Sequence, residues 1–89
     1  MSVFYVYILN TIGKSNKRRY YTGYTNDLYR RLEEHRAGKG ARFTKGKKKI
    51  ELKYFETYAN RKEAVRRELE IKTYSRKEKT ELIKSFKNS

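Results

Sequence analysis

Apolar and polar positions divide this chain into blocks of different period. Val3-Phe4-Tyr5-Val6-Tyr7-Ile8-Leu9 is an uninterrupted run of β-forming residues. Its length and its β-branched and aromatic content predict a strand covered on both faces. Alternation puts Val3, Tyr5, Tyr7 and Leu9 on one side and Phe4, Val6 and Ile8 on the other. Asn10 to Arg19 is polar, contains Gly13 and reads as a loop. Tyr20 to Tyr24 reads as a second strand, so the two strands form a hairpin with an extended basic tip. Thr25 or Asn26 is placed to cap a helix that runs to about Ala37, with Gly38 as its stop. On that helix Leu28, Arg31, Leu32 and His35 share one arc, which puts an Arg and a His on the apolar side.

Gly38 to Lys49 breaks the periodicity, and its glycines predict a mobile loop. Ile50 to Tyr58 is a third strand, with Ile50, Leu52 and Tyr54 alternating. Asn60-x-x-Glu63 has the form of a capping box and opens a second helix. Ala64, Val65, Glu68, Leu69 and Ile71 share its broad apolar face, with Glu68 inside that face. Ser75-x-x-Glu78 is a second capping box, and Leu82, Ile83 and Phe86 of the helix it opens should pack inward. Lys87 to Ser89 should fray. The order is β-β-α-β-α-α. Three strands cannot close a core alone, so helices must flank the sheet in one α/β (α+β) domain spanning residues 1–89.

Composition narrows the function. The chain carries 24 Lys and Arg against 10 Asp and Glu, a net charge of +14, which points to a polyanionic partner. Four of the positive charges lie between Asn10 and Arg19, and six lie in Gly38 to Lys49, a stretch without an acid. An anionic membrane surface is the rival partner. It would need a helix with a free apolar face, and the helices here are needed for the core. With no Cys, a disulfide framework, a thiolate zinc site and a Cys nucleophile are excluded. Met1 to Leu9 lacks a basic leader and a small-residue cleavage site, and reads as structure. The expected setting is the cytoplasm.

Four placements carry candidate chemistry: Tyr7 on the first strand, Tyr21 on the second, Arg31 and His35 one turn apart on the first helix, and Glu68 on the second. A charge on a buried face is costly unless it is paired or binds a ligand. An ion pair between Arg31 and Glu68 is therefore the plain structural alternative. Tyr7 and Tyr21 could equally be core phenols, and His35 a packed imidazole.

These residues fall in an order that resembles the GIY-YIG nuclease superfamily. Tyr5-Val6-Tyr7 is similar to the GIY element and Tyr21-Thr22-Gly23 to the YIG element. Arg31 follows Gly23 by eight residues, with Leu32 and His35 after it, and Glu63-Ala64-x-x-x-Glu68 with Ile71-Lys72 is similar to the family's metal-binding helix. Size and the Ala41-Arg42-Phe43-Thr44 stretch most resemble the small stand-alone, YhbQ-like bacterial members. The resemblance implies a metal-dependent endonuclease that hydrolyses phosphodiester bonds with one divalent ion, Mg²⁺ or Mn²⁺, held by Glu68. It implies Arg31 on the scissile phosphate, Tyr7 on the attacking water, Tyr21 on the nucleophile or phosphate, and His35 in proton transfer. Tyr5 and Thr22 depart from the Gly of GIY and the Ile of YIG, Tyr24 stands where some members have Lys, and no Asn element follows Lys72.

The charge map assigns backbone binding to Lys17, Arg18 and Arg19 on the hairpin and to Lys39, Arg42, Lys45, Lys47, Lys48 and Lys49 on the basic loop. No helix-turn-helix reader is present, so the expected substrate is DNA chosen by structure rather than sequence. The alternatives are a nucleic-acid-binding module of the same fold with weak or no turnover, and an RNA-binding accessory protein. The chain is taken as a monomer.

Overall fold

The apolar N-terminal run becomes the middle strand of a three-stranded antiparallel sheet. In the computed structural model, which describes residues 2–87, β1 (Phe4–Ile12) lies between β2 (Arg18–Thr25) and β3 (Lys49–Tyr58). Three helices complete the order β-β-α-β-α-α: α1 (Leu28–Arg36), α2 (Arg61–Lys72) and α3 (Arg76–Lys87). Val6, Tyr7, Ile8 and Leu9 are all buried because both faces of β1 are covered. Val6 and Ile8 pack with Tyr54, Ala64, Ile71 and Ile83, under α2 and α3. Tyr7 and Leu9 pack with Ile50, Leu28 and Leu32, under α1. The catalytic candidates are thereby shared between two faces, and only the edge formed by β2 can bring them together.

Several local expectations need correction. The hairpin tip is shorter than ten residues: β1 continues through Ile12 and β2 starts at Arg18, leaving a turn closed by a Gly13 N–H to Lys17 carbonyl bond of 2.9 Å. Polar residues enter the strands because they find partners. Thr11 Oγ1 donates to the Arg19 carbonyl at 2.9 Å and Asn10 Nδ2 to Glu51 Oε1 at 3.2 Å. Val3 precedes the strand and is exposed. The cap of α1 is Asp27, whose side chain accepts from the Arg30 N–H, while Thr25 Oγ1 accepts from the Asp27 N–H.

The alternation expected for β3 breaks at a bulge. Ile8 pairs with Tyr54 but Leu9 pairs with Leu52, so Lys53 is extra. Ile50 and Leu52 stay on the α1 face, and Tyr54 crosses to the other. On α2 the buried stripe is narrower than expected: Ala64, Glu68 and Ile71 are buried, but Leu69 is 58% exposed. Asn60 caps α2 through the Glu63 N–H. The α3 box is reciprocal, with Glu78 N–H to Ser75 Oγ at 3.1 Å and Ser75 N–H to Glu78 Oε1 at 2.8 Å. Ile83 is buried and Leu82 half-buried, while Phe86 is partly exposed yet packs edge-on against Tyr54 and Phe55. Of the fraying expected at Lys87 to Ser89, α3 includes Lys87, and the last two residues lie outside those described. Among the described residues no helix is long and apolar enough to cross a membrane.

Candidate active site

Register on the central strand places the first phenol. Tyr7 pairs with Gly23 of β2, and the Tyr7 hydroxyl lies where a side chain at position 23 would be. A Cβ there would stand 2.5 Å from Tyr7 Oη and 2.7 Å from Cζ. Gly23 is thus needed for space, since its backbone is ordinary extended strand.

His35 is on the last turn of α1 and is fully buried. Its Nε2 lies 2.8 Å from the Tyr7 hydroxyl and its Nδ1 lies 2.8 Å from Thr44 Oγ1. Thr44 has one hydroxyl proton and donates it to the Ala41 carbonyl at 3.0 Å. It must therefore accept from His35, which puts the imidazole proton on Nδ1 and leaves Nε2 to accept from the Tyr7 O–H. Burial, helped by the charge of Arg31, pushes the imidazole from 6.5 down to about 4, so His35 is neutral at physiological pH. An imidazole titrates near physiological pH only as an exposed ring, which His35 is not. Burial also raises the Tyr7 phenol to about 12, and the adjacent Arg31 only partly offsets this.

The segment expected to be a mobile loop is folded over this pair. Residues 42–46 form successive turns that seat Thr44 on His35. A Cβ at Gly40 would stand 2.5 Å from His35 Nδ1, so glycine here serves packing. Phe43 stacks on Tyr21, with ring centroids 5.6 Å apart. Tyr21 is in turn edge-on to His35 at 5.1 Å and tilted against Tyr7 at 6.4 Å. The segment is also tied to the hairpin, by the Lys48 N–H to the Ile12 carbonyl at 2.7 Å and by Lys48 Nζ to Asn16 Oδ1 at 3.1 Å.

Arg31 is half-buried beside Tyr7. It donates to Glu34 Oε1 at 3.0 Å and to the Gly40 carbonyl at 2.7 Å, which directs the guanidinium without using all its donors. It lines a groove of about 580 Å³ with Tyr24, Arg30 and Arg61. Glu68 is 9% exposed, and its charge raises the cost of ionising Tyr7. The structural alternative of an Arg31–Glu68 pair is not what forms: among the described residues Arg31 pairs with Glu34, and Glu68 with Lys72 at 3.4 Å. Tyr7, Tyr21, Arg31, His35 and Glu68 therefore make one neighbourhood from β1, β2, α1 and α2.

The donor set bears on a metal. Among the described residues no three His, Asp or Glu side chains gather as a protein-built cage. One buried carboxylate with a single lysine partner suits Mg²⁺, which keeps most of its waters and takes few protein oxygens. Of the residues assigned to backbone binding, Lys17, Arg18, Arg19, Lys39, Arg42, Lys45, Lys48 and Lys49 are exposed. Lys47 is half-buried, with its ammonium 4.7 Å over the Phe43 ring.

The model of the GIY-YIG catalytic domain matches residues 3–81. The chain belongs to the GIY-YIG family. Among its GIY-YIG relatives is a UPF0213 protein of Staphylococcus epidermidis, 45% identical over 83 residues, which are 93% of this chain and 96% of that one. A UPF0213 protein of Haloquadratum walsbyi is 45% identical over 78 residues, 88% of this chain and 83% of that one. The solution NMR structure of the UPF0213 protein BH0048 from Bacillus halodurans is 39% identical, covers 92% of this chain and 83% of that one, and superimposes with a TM-score of 0.53. The GIY-YIG family is a nuclease family, and the β-β-α-β-α-α layout is that of this group.

Thr44, Gly40 and Phe43 were not legible as parts of the site. The available signal was the Ala41-Arg42-Phe43-Thr44 stretch, which carries part of the family resemblance but showed no role for Thr44 until the fold brought it onto His35.

Proposed function

We propose that this chain is a metal-dependent endonuclease that hydrolyses phosphodiester bonds in DNA, selecting by structure rather than sequence. The observation that carries the reading is the buried hydrogen bond from the Tyr7 hydroxyl to a neutral His35 whose tautomer Thr44 holds. A phenol raised to about 12 is a poor base alone. Here Nε2 of His35 holds the phenol's own proton, which leaves the lone pairs of the Tyr7 oxygen to accept from the attacking water and orient it. Tyr21, packed on both partners, limits where the water and phosphate can sit. Arg31 offers a permanently charged planar fork for the scissile phosphate and its developing charge. Glu68 would hold one Mg²⁺ or Mn²⁺, which supplies Lewis-acid polarisation of a phosphate oxygen and charge for the leaving oxygen. The exposed lysines and arginines of the hairpin and of the basic segment from Lys39 to Lys49 would grip backbone phosphates without reading bases.

Purified protein should nick plasmid DNA with Mg²⁺ or Mn²⁺. Glu68→Ala should lower nicking at least about 100-fold while binding in EDTA is kept. Undiminished nicking by that variant would refute the site. Binding by the unsubstituted chain without nicking would leave the module reading, and preferred binding of RNA over DNA at fixed salt would favour the accessory reading.

A further inference from the structure

A second cationic groove opens beside the site, away from the Arg31 side. It holds about 220 Å³ and is lined by Arg19, Tyr20, Phe43, Tyr74, Arg76 and Lys79. Three cations and three aromatic rings line it, with no acid among them. Two of its cations, Arg76 and Lys79, are held in place. Arg76 lies 4.8 Å over the Tyr20 ring and donates to the Arg18 carbonyl at 3.1 Å, while Tyr20 is fixed by a 3.1 Å bond to Thr80. Lys79 is half-buried, and burial together with the charge of Lys72 holds its ammonium below the ordinary lysine range. Gathering like charges in a concavity with apolar walls is unfavourable for the free protein and focuses the field on an incoming anion.

The groove touches the candidate site at two points. Phe43 forms its wall and stacks on Tyr21, which packs against His35. Lys72, the like-charged neighbour of Lys79, is the ion-pair partner of Glu68. The charge pattern of the sequence pointed to the hairpin and the basic loop, and gave no role to α3. In the fold, α3 carries two of the three cations.

We propose that this groove seats a second backbone phosphate of the bound DNA strand, adjacent to the one at Tyr7 and Arg31, with Arg76 and Lys79 as its main ligands and Arg19 at its rim. The placement deepens the nuclease reading and rests on it for the position of the scissile phosphate. The strand then runs from Arg31 past the Tyr21–Phe43 stack toward the start of α3, and sugar or base packs on the open edge of Tyr74.

Binding of fluorescein-labelled DNA in EDTA, measured by anisotropy across a salt series, tests it apart from catalysis. Arg76→Ala/Lys79→Ala should reduce the slope of log affinity against log salt by about 1, the loss of one neutralised phosphate. Lys79→Gln keeps most of the stem on the aromatic walls and should reduce it by about half as much without disturbing the fold. Lys62→Ala/Arg66→Ala removes the same charge from exposed positions on α2 and should leave the slope nearly unchanged. An unchanged slope in Lys79→Gln, or equal losses in the two double variants, overturns the groove. Nicking by Glu68→Ala tests the catalytic reading independently, so either idea can fail while the other stands.

Discussion

Two carboxylates, Glu56 bound by Arg67 of α2 and Glu68 at the next position of that helix, show how differently this fold treats a negative charge. Glu56 on β3 is saturated. It accepts from the hydroxyls of Tyr54 and Tyr58 and from two nitrogens of Arg67, each at 2.9 Å, and Arg67 is further bound to Glu70 and Tyr74. Although burial opposes it, this shell holds the Glu56 carboxyl below its ordinary range; burial, and then the bond to Glu56, push the Tyr58 phenol up to about 12. Glu68, a similarly inward-facing carboxylate, has one lysine at 3.4 Å, and stands by a phenol and imidazole that share a single proton bridge. A charge with every lone pair occupied is a fastening between β3 and α2. A charge left with open positions is what a ligand needs.

The largest effect should come from undoing the saturated member. Glu56→Ala leaves Arg67 and two phenols without their acceptor, and breaking a buried pair of this kind costs about 3 kcal/mol or more. Chemical denaturation should show that loss, with nicking lost only as the protein unfolds. Glu68→Ala should do the reverse, with folding stability within about 1 kcal/mol of the unsubstituted chain and activity gone. Equal destabilisation by both variants would erase the distinction.

Acid should act next, through His35. Its folded value of about 4 lies below the 6.5 of an exposed imidazole. Between those two values the unfolded chain binds a proton that the folded one refuses, so stability falls as pH drops through that window and is unaffected above it. The difference corresponds to about 3 kcal/mol. Glu56 adds its own loss only below the ordinary carboxylate range, because its folded value is depressed. Urea midpoints at pH 7, 5.5 and 4.5 should decline, and His35→Gln should flatten the decline above pH 5. A flat profile in the unsubstituted chain would mean that His35 is not held neutral by burial.

Periodicity and residue type reveal the scaffold and conceal the contacts. The run from Val3 to Leu9 announces a doubly covered strand because nothing else needs so many consecutive β-formers, and β1 is that strand. Glu68 stands out as a charge within a helical apolar stripe, and it is buried. By contrast, nothing in the pattern marks Glu56 and Arg67, since the bulge at Lys53 that turns Tyr54 onto the α2 face leaves no trace in it. Thr44 was hidden for a related reason. A lysine-rich segment reads as solvated, and what orders it is a contact to His35, nine residues earlier and across the end of α1, that leaves no periodic signature.

A smaller effect on activity should follow from crowding the proton bridge at either end. Gly23→Ala places a methyl group 2.5 Å from the Tyr7 hydroxyl, and Gly40→Ala places one 2.5 Å from His35 Nδ1. Each must displace a ring that is nearly or fully buried. A displacement of about 1 Å in a catalytic group can cost about 100-fold in rate. Both variants should lose turnover by about that factor while keeping DNA affinity in EDTA, as grooves outside the bridge are untouched. Loss of affinity without loss of turnover would move the chemistry elsewhere.

The mildest change tests whether an unsatisfied polar group always signals function. Thr22 is buried on β2, opposite Ile8, and among the described residues its hydroxyl is the one buried side-chain polar atom without a hydrogen-bond partner. It stands where the family motif has Ile. By the logic applied to Glu68, an open hydroxyl could await a ligand; by ordinary energetics it is a desolvation penalty of about 1 kcal/mol. Thr22→Val keeps the branched shape and removes only the hydroxyl. If the penalty reading holds, the variant melts about 4 °C or more higher and nicks DNA at the unsubstituted rate. If turnover falls while the melting temperature rises, the hydroxyl serves the site, and the contrast between filled and open partners extends from a carboxylate to a neutral group.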